Sequence, residues 1–249
     1  MKSKVNKYTQ EVEQKLKAIA LKNDNAKAEK LQKYLGTKFD VLNIATKHQV
    51  DICKQGYDFY TDDKTATFLK LNSVLKESNI FEGKNQAYIY LDKNFKHIPE
   101  NILFKTLPTW VKHVDNWAHS DTLSKFLTRF LENESTYNNF ISIIEKWNSS
   151  KKMWERRQSI VSLYYYSRTK KQHIDFDYGI ALIDNLLLDN EYFVQKAVGW
   201  ALRESYNVYP KQTFNYIEQN IKLIPSAAYT ACTEKLSLKE KDYLKQLRK

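Results

Sequence analysis

Glycine and proline are scarce in this 249-residue chain: five glycines and four prolines stand where average usage gives about 30. The shortage disfavours turn-rich β sandwiches and barrels and excludes collagen-like sequence. Gly36, Gly56, Gly83, Gly179 and Gly199 are nowhere closer than 20 residues. No G-x-G-x-x-G nucleotide loop and no Walker P-loop is therefore present. Only two cysteines occur, Cys53 and Cys232, with no C-x-x-C pair and no disulfide framework. The five histidines form no H-E-x-x-H; His113 and His119 are six apart, on different faces of any helix, and make a poor metal pair. Long apolar runs are missing too: the longest, 180–188, is broken by Asp184 and Asn185. Residues 1–22 are polar, with no apolar signal-peptide core. We expect no membrane span, no metal, and a reducing cytoplasmic setting.

What the chain does have is positive charge and aromatics. Lysine and arginine number 40 against 29 acidic residues, a net charge of +11, with a pI near 9.3. A basic surface suits nucleic acid or an anionic membrane; a merely solvated lysine-rich surface is the alternative. Seventeen Tyr, twelve Phe and five Trp supply ample core material. A chain of this length buries roughly 70–75% of its unfolded surface and needs no disulfide or metal to fold.

Helical periodicity runs almost throughout. Val12, Leu16, Ile19 and Ala20 form one stripe; Leu31, Tyr34 and Leu35 form the next, ending at Gly36. Leu123, Phe126, Leu127, Phe130 and Leu131 follow the i, i+3, i+4, i+7, i+8 pattern, with Ser120 as N-cap. Phe140, Ile143, Ile144 and Trp147 repeat it, and Pro99 and Pro108 read as first-turn prolines. Residues 87–91 come nearest to a strand and also fit a helix. Connections are short and polar, so residues 1–249 read as one domain. Helices opening near Pro108, Ser150 and Asn190 lie 42 and 40 residues apart, the period of HEAT or armadillo repeats. The expected fold is an all-α, HEAT-like α–α solenoid, a superhelix.

Residues 190–207, NEYFVQKAVGWALRESYN, place Val194, Ala197, Val198, Ala201 and Leu202 on one face. Tyr192, Lys196, Gly199, Trp200, Arg203 and Asn207 share the opposite one. Trp200 thus lies off the core stripe, between two cations, with Gly199 leaving room for something to approach. Such a tryptophan suits a nucleic-acid backbone or a cationic base; packing against a neighbouring repeat is the alternative.

The stretch YFVQKAVGWALRE (192–204) closely resembles the Phe-Ile-Gln-Lys-Ala-Ile-Gly-Trp-Ala-Leu-Arg signature of the DNA alkylation repair family of the AlkD type. WERRQSIVSLYYY (154–166) is similar to its Trp-x-x-Arg segment, with Arg157 as the matching Arg. LPTWVKHVDNWA (107–118) resembles its Trp-Trp-Asp-x-Val-Asp segment, with Asp115 as the final Asp. AEKLQKYLGTKFDVLNI (28–44) looks like a degenerate copy of its N-terminal Tyr-Met-Lys…Phe-Leu-Gly-Ile stretch. The resemblance implies a solenoid whose basic concave face holds duplex DNA, and excision of cationic N3- and N7-alkylpurines without metal or cofactor. It also implies a nucleoid-associated protein of the cytoplasm, expected to be a monomer. Asp115, Arg157 and Trp200 are the catalytic residues it implies. They are 42 and 43 residues apart, which would set them on successive repeats in one column.

These residue types suit the chemistry. A cationic alkylpurine is already a good leaving group, and a carboxylate at Asp115 can stabilise the oxocarbenium-like sugar and orient water. One departure stands out: the family has a Trp four residues before the Asp, and this chain has Val111. On a helical wheel, Trp110 and Trp117 lie away from Asp115 and read as core, while His119 shares its face and is the local substitute. Arg157, on a mostly apolar stripe with Trp154, Val161 and Tyr164, needs an anion, either Asp115 or a phosphate. Lys151, Lys152, Arg156, Lys196 and Arg203 are the candidate phosphate contacts. The clusters 170–171 and 239–249 read as solvated faces. The leading function is a DNA-alkylpurine glycosylase. A catalytically silent DNA-binding protein of the same fold, and a HEAT scaffold for an acidic protein, are the alternatives.

Overall fold

The structure, a computed structural model, describes residues 6–20, 25–170 and 172–249. Among these residues it is all-α: fourteen α-helices and three short 3₁₀ helices, with one isolated bridge between Asp40 and Ile80 as the only β pairing. The segment 87–91 is helical. The chain divides into two compact units, Met1–Leu123 and Ser124–Lys249.

The first unit contains α1 (Lys7–Ala20), α2 (Asn25–Leu35), α3 (Thr46–Gln55), α4 (Lys64–Glu77), α5 (Phe81–Asn94) and α6 (Glu100–Thr106). A 3₁₀ helix, Leu107–His113, and the start of α7 (Trp117–Leu127) follow. Its core is the α4–α5 pair closed by α1 and α3: Phe68, Leu71, Val74, Ala87 and Leu91 meet Val12 and Leu16, all buried. α4 starts where the Asp63 carboxylate accepts the Thr65 and Ala66 amides. α2 ends at Gly36, whose φ of 67° is the left-handed turn that glycine tolerates best. The irregular segment after it is tied down by the residues just before α5 and by its first turn. Asp40 N–H donates to the Asn79 carbonyl and Phe81 N–H to the Asp40 carbonyl, each at 2.8 Å. The buried Glu82 carboxylate accepts the amides of Leu42 and Ile44 at 3.0 and 3.2 Å. This anchoring fixes the neighbouring residues Thr37 and Lys38.

The second unit holds α8 (Glu134–Asn148), α9 (Met153–Tyr164), α10 (Phe176–Asp184), α11 (Tyr192–Val208), α12 (Pro210–Gln219), α13 (Ser226–Cys232) and α14 (Leu238–Arg248). α9 packs on α11 and α11 on α13, forming a stacked row. α8 packs on α9, α10 on both α9 and α11, and α12 on α11. That is helix-pair stacking of the solenoid kind. α9 is buried on nearly all sides, so its polar side chains pair internally. Gln158 Nε2 donates to the hydroxyls of Ser124 and Ser162 at 2.5 and 3.0 Å, and Asn148 Nδ2 donates to Ser159 Oγ at 3.1 Å.

Candidate functional site

Asp115 stands outside any helix. The 3₁₀ helix ends at His113, Val114 is extended (φ −89°, ψ 133°), and α7 opens at Trp117. Asn116 Oδ1 accepts the His119 amide at 2.9 Å, so Asn116 caps α7. Ser120, expected as a cap, is buried inside the helix. A continuous helical wheel through 107–119 therefore does not apply, and the side-chain placements drawn from it change.

The half-buried Asp115 carboxylate grips the turn after α2. Thr37 Oγ1 donates to Oδ1 at 2.6 Å, Lys38 N–H donates to Oδ2 at 2.8 Å, and Asn116 Nδ2 donates to Oδ1 at 3.0 Å. A carboxylate has about four acceptor positions, so Oδ2 keeps capacity for another donor. Lys84 lies within electrostatic reach. Its ammonium is buried, donates to the Leu75 carbonyl at 2.5 Å and sits 4.4 Å from the Phe39 ring centre. Burial pushes its pKa down to about 8, and Asp115 opposes that shift.

His119 cannot serve as the substitute for a missing aromatic wall. It is 1% exposed, stacked on Phe81 at 4.4 Å and hydrogen-bonded through both ring nitrogens, to Asn116 Nδ2 and Asn85 Oδ1. Burial and Lys84 push its pKa down to about 3, so it is neutral. Val111 is 3% exposed and belongs to the core. Trp110 is core as expected, with Nε1 donating to Asn72 Oδ1. Trp117 is not: it is half-exposed, its Nε1 donates to the Tyr34 carbonyl at 3.2 Å, and its ring meets the Tyr34 ring edge-on at 5.4 Å.

In the second unit Trp200 is half-exposed on α11, as its helical position implies. The Arg203 guanidinium lies 5.9 Å from its ring centre and the Tyr165 ring 6.1 Å away. Gly199 does not leave room for a ligand. A Cβ there would stand 2.2 Å from the Ala228 carbonyl oxygen, because the backbone of α13 occupies that space. Arg157 is 5% exposed, and its Nη1 donates to the Phe193 carbonyl at 2.7 Å, joining α9 to the start of α11. Nη1 of Arg157 is thus occupied by a backbone oxygen.

The five candidate phosphate contacts separate into two kinds. Arg156 forks onto Asp189 (Nε–Oδ2 2.5 Å, Nη2–Oδ1 3.1 Å) and donates to the Ser150 carbonyl. Arg203 pairs with Glu204 and Glu234 at 3.0 and 2.6 Å. Both arginines are internally neutralised. Lys152 has a loose pair with Glu155 at 3.3 Å. Lys151 is exposed and Lys196 half-exposed, and neither is ion-paired among the described residues. Near them lies an aromatic run that helical periodicity did not single out. Trp154 faces Phe193 at 5.2 Å, and Phe193 meets the exposed Tyr192 at 5.3 Å. Lys170, read as solvated, sits instead half-buried, donates to the Leu163 carbonyl, and has its pKa pushed down by burial to about 8. Its neighbour Lys171 lies outside the described residues. A recess of about 360 Å³ beside Lys170, lined also by Tyr137 and His173, contains none of the expected site residues.

Among the described residues no cluster of three or more His, Cys, Asp or Glu is placed to hold a metal, and no helix is long and apolar enough to cross a membrane. Comparison with curated proteins gives no match. Among solved structures, the crystal structure of AlkD2 from Streptococcus mutans is similar in fold. It has 19% identity and a TM-score of 0.50, over 90% of this chain and 96% of that one. The structure of smu.31 from Streptococcus mutans UA159 aligns at 19% identity and a TM-score of 0.48, over 97% of each chain. The family described as DNA alkylation repair enzyme matches residues 12–236, most of the sequence and every motif above. The chain therefore belongs to the DNA alkylation repair enzyme family.

Proposed function

We propose that the protein is a DNA glycosylase that releases cationic N3- and N7-alkylated purines from duplex DNA. The observation that carries this reading is the Asp115 carboxylate: half-buried, aimed by Thr37, Lys38 and Asn116, with acceptor capacity left on Oδ2. As the bond between C1′ and the purine nitrogen breaks, its electron pair goes to the purine, which leaves neutral. The sugar becomes oxocarbenium-like, water adds at C1′, and the water proton passes to solvent. A fixed carboxylate stabilises the positive sugar without reorganising, and Oδ2 can accept a hydrogen from the attacking water. Trp200 offers a half-exposed aromatic face for a cationic base. Arg157 acts as a positioning residue by holding Phe193 and the start of α11. Lys151, Lys152 and Lys196 supply charge for phosphates. The reaction uses only these side chains and water, and we expect it to proceed with a chelator present.

A silent duplex-binding protein is the second reading, favoured by the burial of Val111, which closes the place where the family's tryptophan stands. Single-turnover release of 7-methylguanine or 3-methyladenine from methylated duplex separates the two. Asp115→Asn should slow release by about 10²–10³-fold, the effect of losing one preorganised electrostatic group. Thr37→Val, which loosens the carboxylate, should slow it about fivefold. Normal duplex binding with no release of either base by the wild type would favour the silent reading.

A further inference from the structure

Two positions from which an aromatic wall beside Asp115 was expected are closed: Val111 is in the core and His119 is sealed between Phe81 and two asparagines. An aromatic pair nevertheless stands at this carboxylate. Tyr34 is 69% exposed at the end of α2, and Trp117 is half-exposed at the start of α7. Their rings meet edge-on at 5.4 Å and 85°, and the indole Nε1 donates to the Tyr34 carbonyl at 3.2 Å. The same two chain segments are joined by the Asp115 bonds to Thr37 and Lys38. Three hydrogen bonds between residues 34–38 and 115–117 therefore tie together the two chain segments that carry the carboxylate and the rings.

We propose that Tyr34 and Trp117 are the aromatic side of the Asp115 site, and that together the three side chains bind a planar, positively charged purine. The reaction this binding would serve rests on the glycosylase reading above; the binding itself does not. A cationic ring gains from the electron-rich face of an aromatic and from a carboxylate at close range, whereas a neutral purine gains only stacking. An anionic phosphate is repelled by Asp115. The pair thus selects for the charge that alkylation puts on a purine. It supplies from the residue two places after Asp115 what Val111 does not supply from four places before it.

The test is titration of 7-methylguanosine and of guanosine, at mildly acidic pH where the methylated base is cationic, into the full-length protein, followed by calorimetry. The wild type should bind 7-methylguanosine about tenfold more tightly than guanosine. Tyr34→Ala, at an exposed position, should remove the preference. Trp117→Ala should do the same, and Trp117→Phe, which keeps a ring but loses the Tyr34 hydrogen bond, should keep most of it. Equal affinity of the wild type for both nucleosides, or an undiminished preference in Tyr34→Ala and Trp117→Ala, overturns the proposal. Base release from methylated duplex is measured on the same proteins. A preference that depends on Tyr34 and Trp117, without release by the wild type, sinks the glycosylase reading and leaves the site standing. Release by the wild type and both alanine variants at one rate, without any preference, sinks the site and leaves the glycosylase reading standing.

Discussion

The segments carrying Asp115 and Trp200 are built in opposite ways. Trp200 sits near the middle of α11, a regular 17-residue helix stacked between α9 and α13. Its direction follows from helical spacing alone. Asp115 sits in a three-residue break between a 3₁₀ helix and α7, and its direction is set by Thr37 and Lys38, nearly eighty residues earlier. A side chain on a repeat helix is held by packing along the row. A side chain in a break is held by a few hydrogen bonds, and losing one of them moves it.

At neutral pH a large effect on stability is expected at the packed helix. Gly199→Ala forces a Cβ against the α13 backbone, which cannot move aside as a flexible side chain would. We expect a loss of about 3 kcal/mol, read as a fall in the thermal midpoint. An unchanged midpoint would mean that α13 does not approach α11 so closely.

Behind the break, Lys84 carries the next effect. Its pKa is about 8 in the folded protein against 10.5 for an ordinary lysine, so charge burial costs stability below pH 8. That cost fades as pH rises from 8 towards 10.5, where the unfolded chain also loses the proton. Lys84→Met should therefore stabilise by up to about 3 kcal/mol at neutral pH. The gain should shrink across that window in denaturant titrations, and a gain constant with pH would show that Lys84 is not buried as a cation.

His119 has the same direction of shift at lower pH. Folded, it titrates near 3 rather than 6.5, so the stability it confers is complete above 6.5 and lost as pH falls towards 3. Each pH unit below 6.5 should cost the wild type about 1.4 kcal/mol relative to His119→Gln. Parallel acid-unfolding curves for the two proteins would contradict the buried, neutral imidazole.

The smallest effects distinguish the paired from the unpaired cations of the second unit. Lys151→Ala and Lys196→Ala should each reduce the slope of log affinity for duplex DNA against log salt by about one. Arg156→Gln and Arg203→Gln, which break internal ion pairs, should change the slope less while lowering the thermal midpoint. Equal slope changes for all four would mean that the arginines exchange their carboxylates for phosphates.

The same contrast explains what the sequence made legible. The all-α fold, most of the apolar stripes and the outward position of Trp200 follow from the 3.6-residue period, and the structure keeps them; Ile19 and Tyr34, read as stripe residues of the first two helices, are exposed instead. Gly199 was misread because a missing Cβ looks the same whether it admits a ligand or the backbone of α13. Arg156 and Arg203 looked like phosphate contacts because Asp189 and Glu234 approach only once the repeats stack. Asp115 was identified by its motif, but its surroundings were read on a wheel that does not exist there. Asn116, a favoured N-cap residue directly before Trp117, was the local signal for the helix start. The partnership of Tyr34 with Trp117 joins residues 83 apart in sequence and has no local signal.

Release rate and duplex affinity, measured side by side for wild type, Asp115→Asn and Lys196→Ala, test most directly whether Asp115 performs the chemistry while the second unit's lysines hold DNA. With 7-methylguanine duplex under single-turnover conditions, Asp115→Asn should lose release by about 10²–10³-fold at nearly unchanged affinity, and Lys196→Ala should lose affinity at a nearly unchanged saturating rate. Release by Asp115→Asn at the wild-type rate would contradict the role assigned to the carboxylate.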